Sequence, residues 1–136
     1  MTVKKNWLLI ALGVTLILML FTNCALAYTA TPYADTVFSS AKVSLSAQIN
    51  ASFTAQTKSK QAEIKVTSCI LQIKTGSVWA DSMTLTAPSK VATNANRYTA
   101  SKNYSSSCSS GNTYRIKAVF DADGHTKTAY SNSISY

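Results

Sequence analysis

His125 is the single histidine of the chain and the first residue to consider for acid–base chemistry. A catalytic histidine needs a nucleophile and an orienting partner, and the sequence places neither beside it. The preceding run Asp121-Ala122-Asp123-Gly124 lacks the third acidic ligand and the distal Glu of a calcium loop. Because Asp and Gly also form tight turns, we interpret the segment as a turn and predict no catalytic residue, no metal and no other cofactor.

The remaining acidic residues give little scope for hydrolysis. Glu63 and Asp81 are the only other acids in the middle of the chain, and nothing in the sequence pairs them as glycoside hydrolysis requires. A carbohydrate-active enzyme is therefore disfavoured, and we predict a protein that is not an enzyme.

Three aromatic residues lie in extended segments of which one face must contact solvent. Trp79, Tyr98 and Tyr104 are candidate ligand-contact residues, because aromatic rings on an open sheet stack against sugars. In the alternative interpretation Trp79 covers an edge of the core and the tyrosines form cross-strand pairs.

The first 27 residues have the three parts of a signal peptide. Lys4 and Lys5 form a positive start, an uncharged run from Trp7 to Phe21 follows, and residues 22–27 end in a small-x-small pattern. The pattern predicts cleavage after Ala27 and secretion, with residues 28–36 as an extended lead-in and residues 37–136 as the folded domain. The membrane is then contacted only through the leader, before cleavage.

Two alternatives to cleavage remain open. A retained anchor would need about 20 apolar residues to cross the bilayer, whereas the apolar run here is shorter and ends in Thr22-Asn23. A lipoprotein would be acylated on Cys24, but the residues before that cysteine fit the lipoprotein pattern poorly.

Export determines how the two later cysteines are interpreted. In an oxidising compartment two cysteines of a small domain pair by default, which predicts a disulfide between Cys69 and Cys108. Two cysteines with no nearby histidine do not form a zinc site. We predict a structural disulfide.

The charge of the mature chain is positive but spread along the sequence. Without Lys4 and Lys5 it has eleven basic and five acidic residues, a net charge of +6. No run of adjacent Lys or Arg exists, so we predict no nucleic-acid partner. Outside the cell such a charge favours adsorption to anionic polymers, although lysines on outward faces also prevent sheet-to-sheet aggregation.

Alternating apolar and polar residues predict strands throughout the mature chain. The clearest example is Tyr114, Ile116, Ala118 and Phe120 on one face, with Arg115, Lys117 and Val119 on the other. Short strands joined by polar turns, with no convincing helix, predict an all-β fold: one antiparallel immunoglobulin-like or fibronectin type III-like sandwich of about seven strands.

The C-terminal part resembles the last two strands of a fibronectin type III domain. The resemblance covers residues 111–119 and 130–135, and it implies that Tyr114 forms a tyrosine corner, buried and bonded back to the backbone. The mature chain also resembles a family of short secreted proteins of Gram-positive bacteria of unknown function. That resemblance is carried by Pro32-Tyr33-Ala34-Asp35, by residues 73–79 and by the Tyr-Arg strand. It implies a single sandwich domain and transfers no catalytic or binding residue.

These observations predict a secreted, non-enzymatic binding or adhesion domain that acts at the bacterial cell surface or in the medium. Its partners would be cell-wall polymers, glycans or a surface protein. The alternative is a small secreted antagonistic factor of the bacteriocin type, which the small size, basic charge and export also fit.

Overall fold

The computed structural model describes residues 37–136, so the predicted signal peptide and the 28–36 lead-in lie outside the described residues. The described part is all-β, as predicted, with no α-helix among its elements. Its seven strands are β1 (Phe38–Ser46), β2 (Asn50–Thr75), β3 (Val78–Leu85), β4 (Val91–Asn103), β5 (Thr113–Ala122), β6 (His125–Tyr130) and β7 (Ile134–Ser135). All pairings are antiparallel.

The long strand β2 connects the whole sheet, because each of its edges pairs with two other strands in succession. One edge pairs with β1 over residues 50–57 and with β5 over residues 64–73. The other edge pairs with β4 over residues 50–65 and with β3 over residues 69–75. β6 and β7 both pair with β5. The two halves of β2 therefore belong to two different sets of strands that share one core.

The polar segment 57–61 has the composition of a loop, but it is part of β2. Here residues 57–60 of β2 stand opposite the single residue Asn96 of β4, so the strand bulges without ending. Thr57 stabilises the bulge because its hydroxyl donates to the carbonyl oxygen of Ser59 at 2.8 Å. Composition alone does not identify this bulge, because bulges and loops share polar composition and only pairing with other strands distinguishes them.

The bulges of β2 change which residues face the core. Phe53 and Ala55 are buried before the first bulge and Ile64 and Val66 after it. A second register shift against β5, between Val66 and Ser68, turns the odd-numbered residues back toward the core. Cys69 and Leu71 are therefore buried. An extra residue exchanges the two faces of a strand because side chains alternate with a period of two.

β5 supplies the centre of the core and confirms the predicted alternation. Tyr114, Ile116, Ala118 and Phe120 are buried, and the residues between them are partly exposed. Together with the inward residues of β1, β2 and β4 they form one apolar cluster.

The C-terminal segment through Tyr136 is not one continuous strand. β6 ends at Tyr130, and β7 comprises only Ile134 and Ser135. Between them the backbone N–H of Ser131 donates to the carbonyl oxygen of Ile116, and the Ser131 hydroxyl accepts the N–H of Ile116 at 2.8 Å. A side chain thus replaces one backbone group of the ladder, which ends regular pairing at this point.

Candidate functional site

A cation lies between two aromatic rings on the outward side of β3, β5 and β6. The guanidinium carbon of Arg115 is 4.5 Å from the centroid of the Trp79 ring and 4.7 Å from the centroid of the Tyr130 ring. Each ring attracts the cation through the negative potential of its face. The three side chains therefore form one continuous aromatic–cation stack.

Two tight hairpins bring these three residues together. Gly76 takes a φ of 62° in the two-residue loop between β2 and β3, which sets Trp79 opposite Lys74. Asp123 and Gly124 both have positive φ, as a type I′ turn requires, and this sets Tyr130 opposite Lys117. Arg115 is two residues before Lys117 on the same face of β5, so Tyr130 is its diagonal cross-strand neighbour.

A chain of hydrogen-bonded side chains on β2, β3 and β5 orients Arg115. Gln72 stands directly opposite both Asp81 of β3 and Arg115 of β5. Its Oε1 accepts the Nε–H of Arg115 at 2.7 Å, and its Nε2 donates to Oδ1 of Asp81 at 2.5 Å. Gln72 lies on the outward face of β2 but is buried, with only 6% of its surface exposed. We call these five residues, Gln72, Trp79, Asp81, Arg115 and Tyr130, the Arg115 cluster.

The Arg115 cluster combines two groups that ligands recognise. Tyr130 is 50% exposed and Trp79 is partly exposed, so both present ring surface to solvent. Arg115 binds Gln72 through Nε only, and among residues 37–136 its two terminal nitrogens have no protein acceptor. A guanidinium edge of this kind recognises a carboxylate through parallel N–H donors.

Tyr98 and Tyr104 are not ligand contacts, which corrects the sequence interpretation. They are only 1% and 4% exposed, so neither ring is accessible to a solvent ligand. Tyr98 lies on the inward face of β4, and Tyr104 directly follows that strand. The Tyr98 ring packs edge-on against Phe120, with the ring centroids 6.2 Å apart. Of the three predicted aromatics, only Trp79 lies on an exposed surface.

Cys69 and Cys108 are both free thiols in the structure, which does not show the predicted disulfide. Cys69 is fully buried on β2, and this burial raises the pKa of its thiol to about 11. Cys108 is half-buried, packs against the core and has its pKa raised by burial. The Tyr104 hydroxyl lies beside Cys69 and donates to the carbonyl oxygen of Thr86 at 2.8 Å.

Tyr114 is buried at the start of β5, and its hydroxyl is bonded to the backbone upstream. It is 4% exposed, its hydroxyl accepts the backbone N–H of Ser109 at 3.0 Å, and it donates to the carbonyl oxygen of the same residue at 3.3 Å. Tyr114 is therefore a structural residue at the start of β5.

The turn at residues 121–124, between β5 and β6, also has a structural role. The carboxylate of Asp123 accepts the backbone N–H groups of Ala62 and Glu63 at 2.7 and 2.9 Å, which ties the turn to β2. His125 is the first residue of β6 rather than part of the turn. Within residues 37–136, no group of three or more His, Cys, Asp or Glu side chains could hold a metal ion. Over the same residues, no helix is long and apolar enough to span a bilayer.

Arg115 and Tyr130 were missed as site residues, although part of their proximity follows from the sequence. The Asp123-Gly124 pair predicts a two-residue hairpin, and counting back from it pairs Tyr130 with Lys117. The contact with Trp79 depends on β3 and β5 pairing with the same strand, β2, and no local pattern predicts that arrangement.

The chain matches no family model, no curated protein and no solved structure, so its candidate site rests on the geometry of the Arg115 cluster.

Proposed function

We propose that this protein is a secreted, non-enzymatic binding domain that contacts carboxylate-bearing glycans of a cell surface through the Arg115 cluster. The observation that carries the proposal is the position of the Arg115 guanidinium, held between Trp79 and Tyr130 and bonded to Gln72 through Nε. An acidic sugar presents a carboxylate and an apolar ring face, which suit the guanidinium edge and the aromatic rings respectively.

The cluster is organised before any ligand arrives, which supports a binding role. Gln72 fixes Arg115 through Nε, and the two rings restrict the remaining motion of its side chain. A ligand would therefore find the guanidinium already oriented, and binding would not need to order a long side chain.

The test is retention of the exported protein on immobilised glycans, with an oligomer of uronic acid and a neutral glucan of equal length as probes. We expect the uronic acid oligomer to be bound and the neutral glucan to be bound more weakly. Tyr130→Ala and Arg115→Gln should each weaken binding about tenfold, since a stacked ring or a charge-assisted hydrogen bond contributes roughly that factor.

Tyr136→Ala is the matched control, because Tyr136 is a similarly exposed tyrosine outside the Arg115 cluster. Equal binding of all three variants and the unchanged protein would refute the assignment of the site. Mass spectrometry of the exported protein tests secretion separately, with Tyr28 expected as the N-terminal residue. Killing of neighbouring strains by the purified protein would favour the antagonistic factor.

A further inference from the structure

Positive charge is concentrated in one half of the described chain. Residues 37–62 and 86–110 contain six basic residues and no acidic one: Lys42, Lys58, Lys60, Lys90, Arg97 and Lys102. Residues 63–85 and 111–136 contain five basic residues, offset by Glu63, Asp81, Asp121 and Asp123. The charge that is spread along the sequence is therefore segregated in the fold, because β1, β4 and the first half of β2 pair together.

The outward face of these paired strands is lined with hydroxyl and amide groups. Ser52 of β2 stands between Ser44 of β1 and Ser101 of β4. In the next row Thr54 stands between Lys42 and Thr99. Strands place such cross-strand neighbours about 5 Å apart, so the face presents closely spaced hydrogen-bonding groups without an acidic side chain.

A groove of about 560 Å³ lies where this face meets the segment that connects β3 to β4. Its polar lining consists of four hydroxyl residues and two lysines: Ser52, Ser89, Lys90, Thr99, Ser101 and Lys102. The Lys102 ammonium is 3.5 Å from the carbonyl oxygen of Ala87, to which it donates, and 5.9 Å from the centroid of the Tyr104 ring. These contacts fix the position of the Lys102 ammonium, while Lys90 is exposed.

We infer that this groove binds the phosphodiester groups of a polymer of sugar or polyol phosphate. A lysine ammonium is a compact point charge with three donors, which suits a phosphate that can approach from several directions. The hydroxyl side chains both donate and accept, so they can bond the phosphate oxygens and the hydroxyl groups of the polyol or sugar.

The lining of the groove also argues against other phosphate-containing partners. Its residues include no aromatic side chain on which a nucleic-acid base would stack. They include no large apolar side chain that would enter a lipid surface. A soluble, hydroxyl-rich polyanion is the partner that its charge and its hydroxyl groups both fit.

The experiment measures binding of the exported protein to a glycerol phosphate oligomer by calorimetry at several salt concentrations. We expect Lys90→Gln to weaken binding about threefold, and Lys90→Gln combined with Lys102→Gln to weaken it about tenfold, as loss of one and two partly exposed charge contacts implies. The double variant should also show a shallower dependence of affinity on salt, because it displaces fewer counterions.

The matched control is the double variant Lys74→Gln and Lys117→Gln, which removes the same charge from the other half of the chain. It should weaken binding less than about twofold, because long-range attraction between exposed charges is screened by salt. Equal losses in the two double variants, or no binding of the oligomer to the unchanged protein, would overturn the proposal. Tighter binding of single-stranded DNA or of phosphatidylglycerol vesicles than of the oligomer would also overturn it.

Failure of the groove proposal and failure of the glycan-binding proposal can be told apart. The Arg115 cluster and the groove share no residue, and each is tested with its own probe.

Discussion

The side chain of Asn132 binds the backbone of Leu45 as a neighbouring strand would. Its Nδ2 donates to the carbonyl oxygen of Leu45 at 2.9 Å, and its Oδ1 accepts the N–H of Leu45 at 2.8 Å. Leu45 lies in β1 and Asn132 follows the end of β6, so this one amide joins the two ends of the domain where no backbone ladder connects them.

Removing this amide should therefore weaken the domain. Asn132→Ala should lower the free energy of unfolding by about 1–3 kcal/mol, because the N–H and C=O of Leu45 lose their partner. Urea denaturation measures the change, with Ser133→Ala at the adjacent exposed position as the control. A loss no larger than that of the control would show that water replaces the amide at no cost.

Three tyrosine hydroxyls of the core differ in their partners, which predicts opposite effects of the same substitution. Tyr104→Phe and Tyr114→Phe should each destabilise the protein by about 1 kcal/mol, since each removes a hydrogen bond to backbone. The buried hydroxyl of Tyr98 has no partner within residues 37–136. Tyr98→Phe should stabilise the protein by about 1 kcal/mol, because the cost of burying that hydroxyl disappears. Thermal unfolding of the three variants tests the order, and destabilisation by Tyr98→Phe would contradict it.

The Tyr98 hydroxyl also makes stability depend on alkaline pH. Burial, and secondarily the charge of Cys69, raises the pKa of Tyr98 from 10.0 to about 12. In the pH range between these two values the unfolded chain releases the Tyr98 proton and the folded protein retains it, so stability falls as pH rises. The full stability is present below about pH 10, and one such group contributes a slope of at most about 1.4 kcal/mol per pH unit.

Denaturation at several pH values from neutral to strongly alkaline measures this fall. Tyr98→Phe should make it shallower but not abolish it, because burial raises the pKa of Tyr104 in the same direction. An unchanged slope in Tyr98→Phe would show that other groups cause the alkaline loss of stability.

The sequence predicts the local features of this fold better than its long-range ones. The alternation in β5 and the Asp123-Gly124 turn are local, and both were recognised from neighbouring residues. The continuity of β2 through residues 57–61 was not recognised from the sequence, because that segment is extended only where it pairs with other strands. The contact between Gln72 and Arg115 joins strands 43 residues apart. It depends on topology and not on composition, as does the segregation of charge.

The cysteines allow the predicted disulfide to be tested directly. The intact mass of the exported protein should be lower than that of its reduced form by two hydrogen atoms, and Cys69→Ser should then lower stability by about 2–5 kcal/mol. In the reduced protein, reagents should modify the half-buried Cys108 faster than the fully buried Cys69, whose pKa is raised to about 11. Two titratable thiols in the unfolded, unreduced exported protein would contradict the disulfide.

Phe120 is the core residue on which the assignment of the two faces of β5 depends. Phe120 is fully buried and meets the edge of the Tyr98 ring at an interplanar angle of 82°. Phe120→Ala should cost about 3–5 kcal/mol, because it leaves a cavity in the core. Val119 is the adjacent residue on the other face of β5 and is only partly buried, so Val119→Ala should cost less than about 1.5 kcal/mol. Urea denaturation of both variants measures the difference. A larger loss in Val119→Ala than in Phe120→Ala would place the core on the other face of β5, and with it would remove Arg115 from the exposed stack.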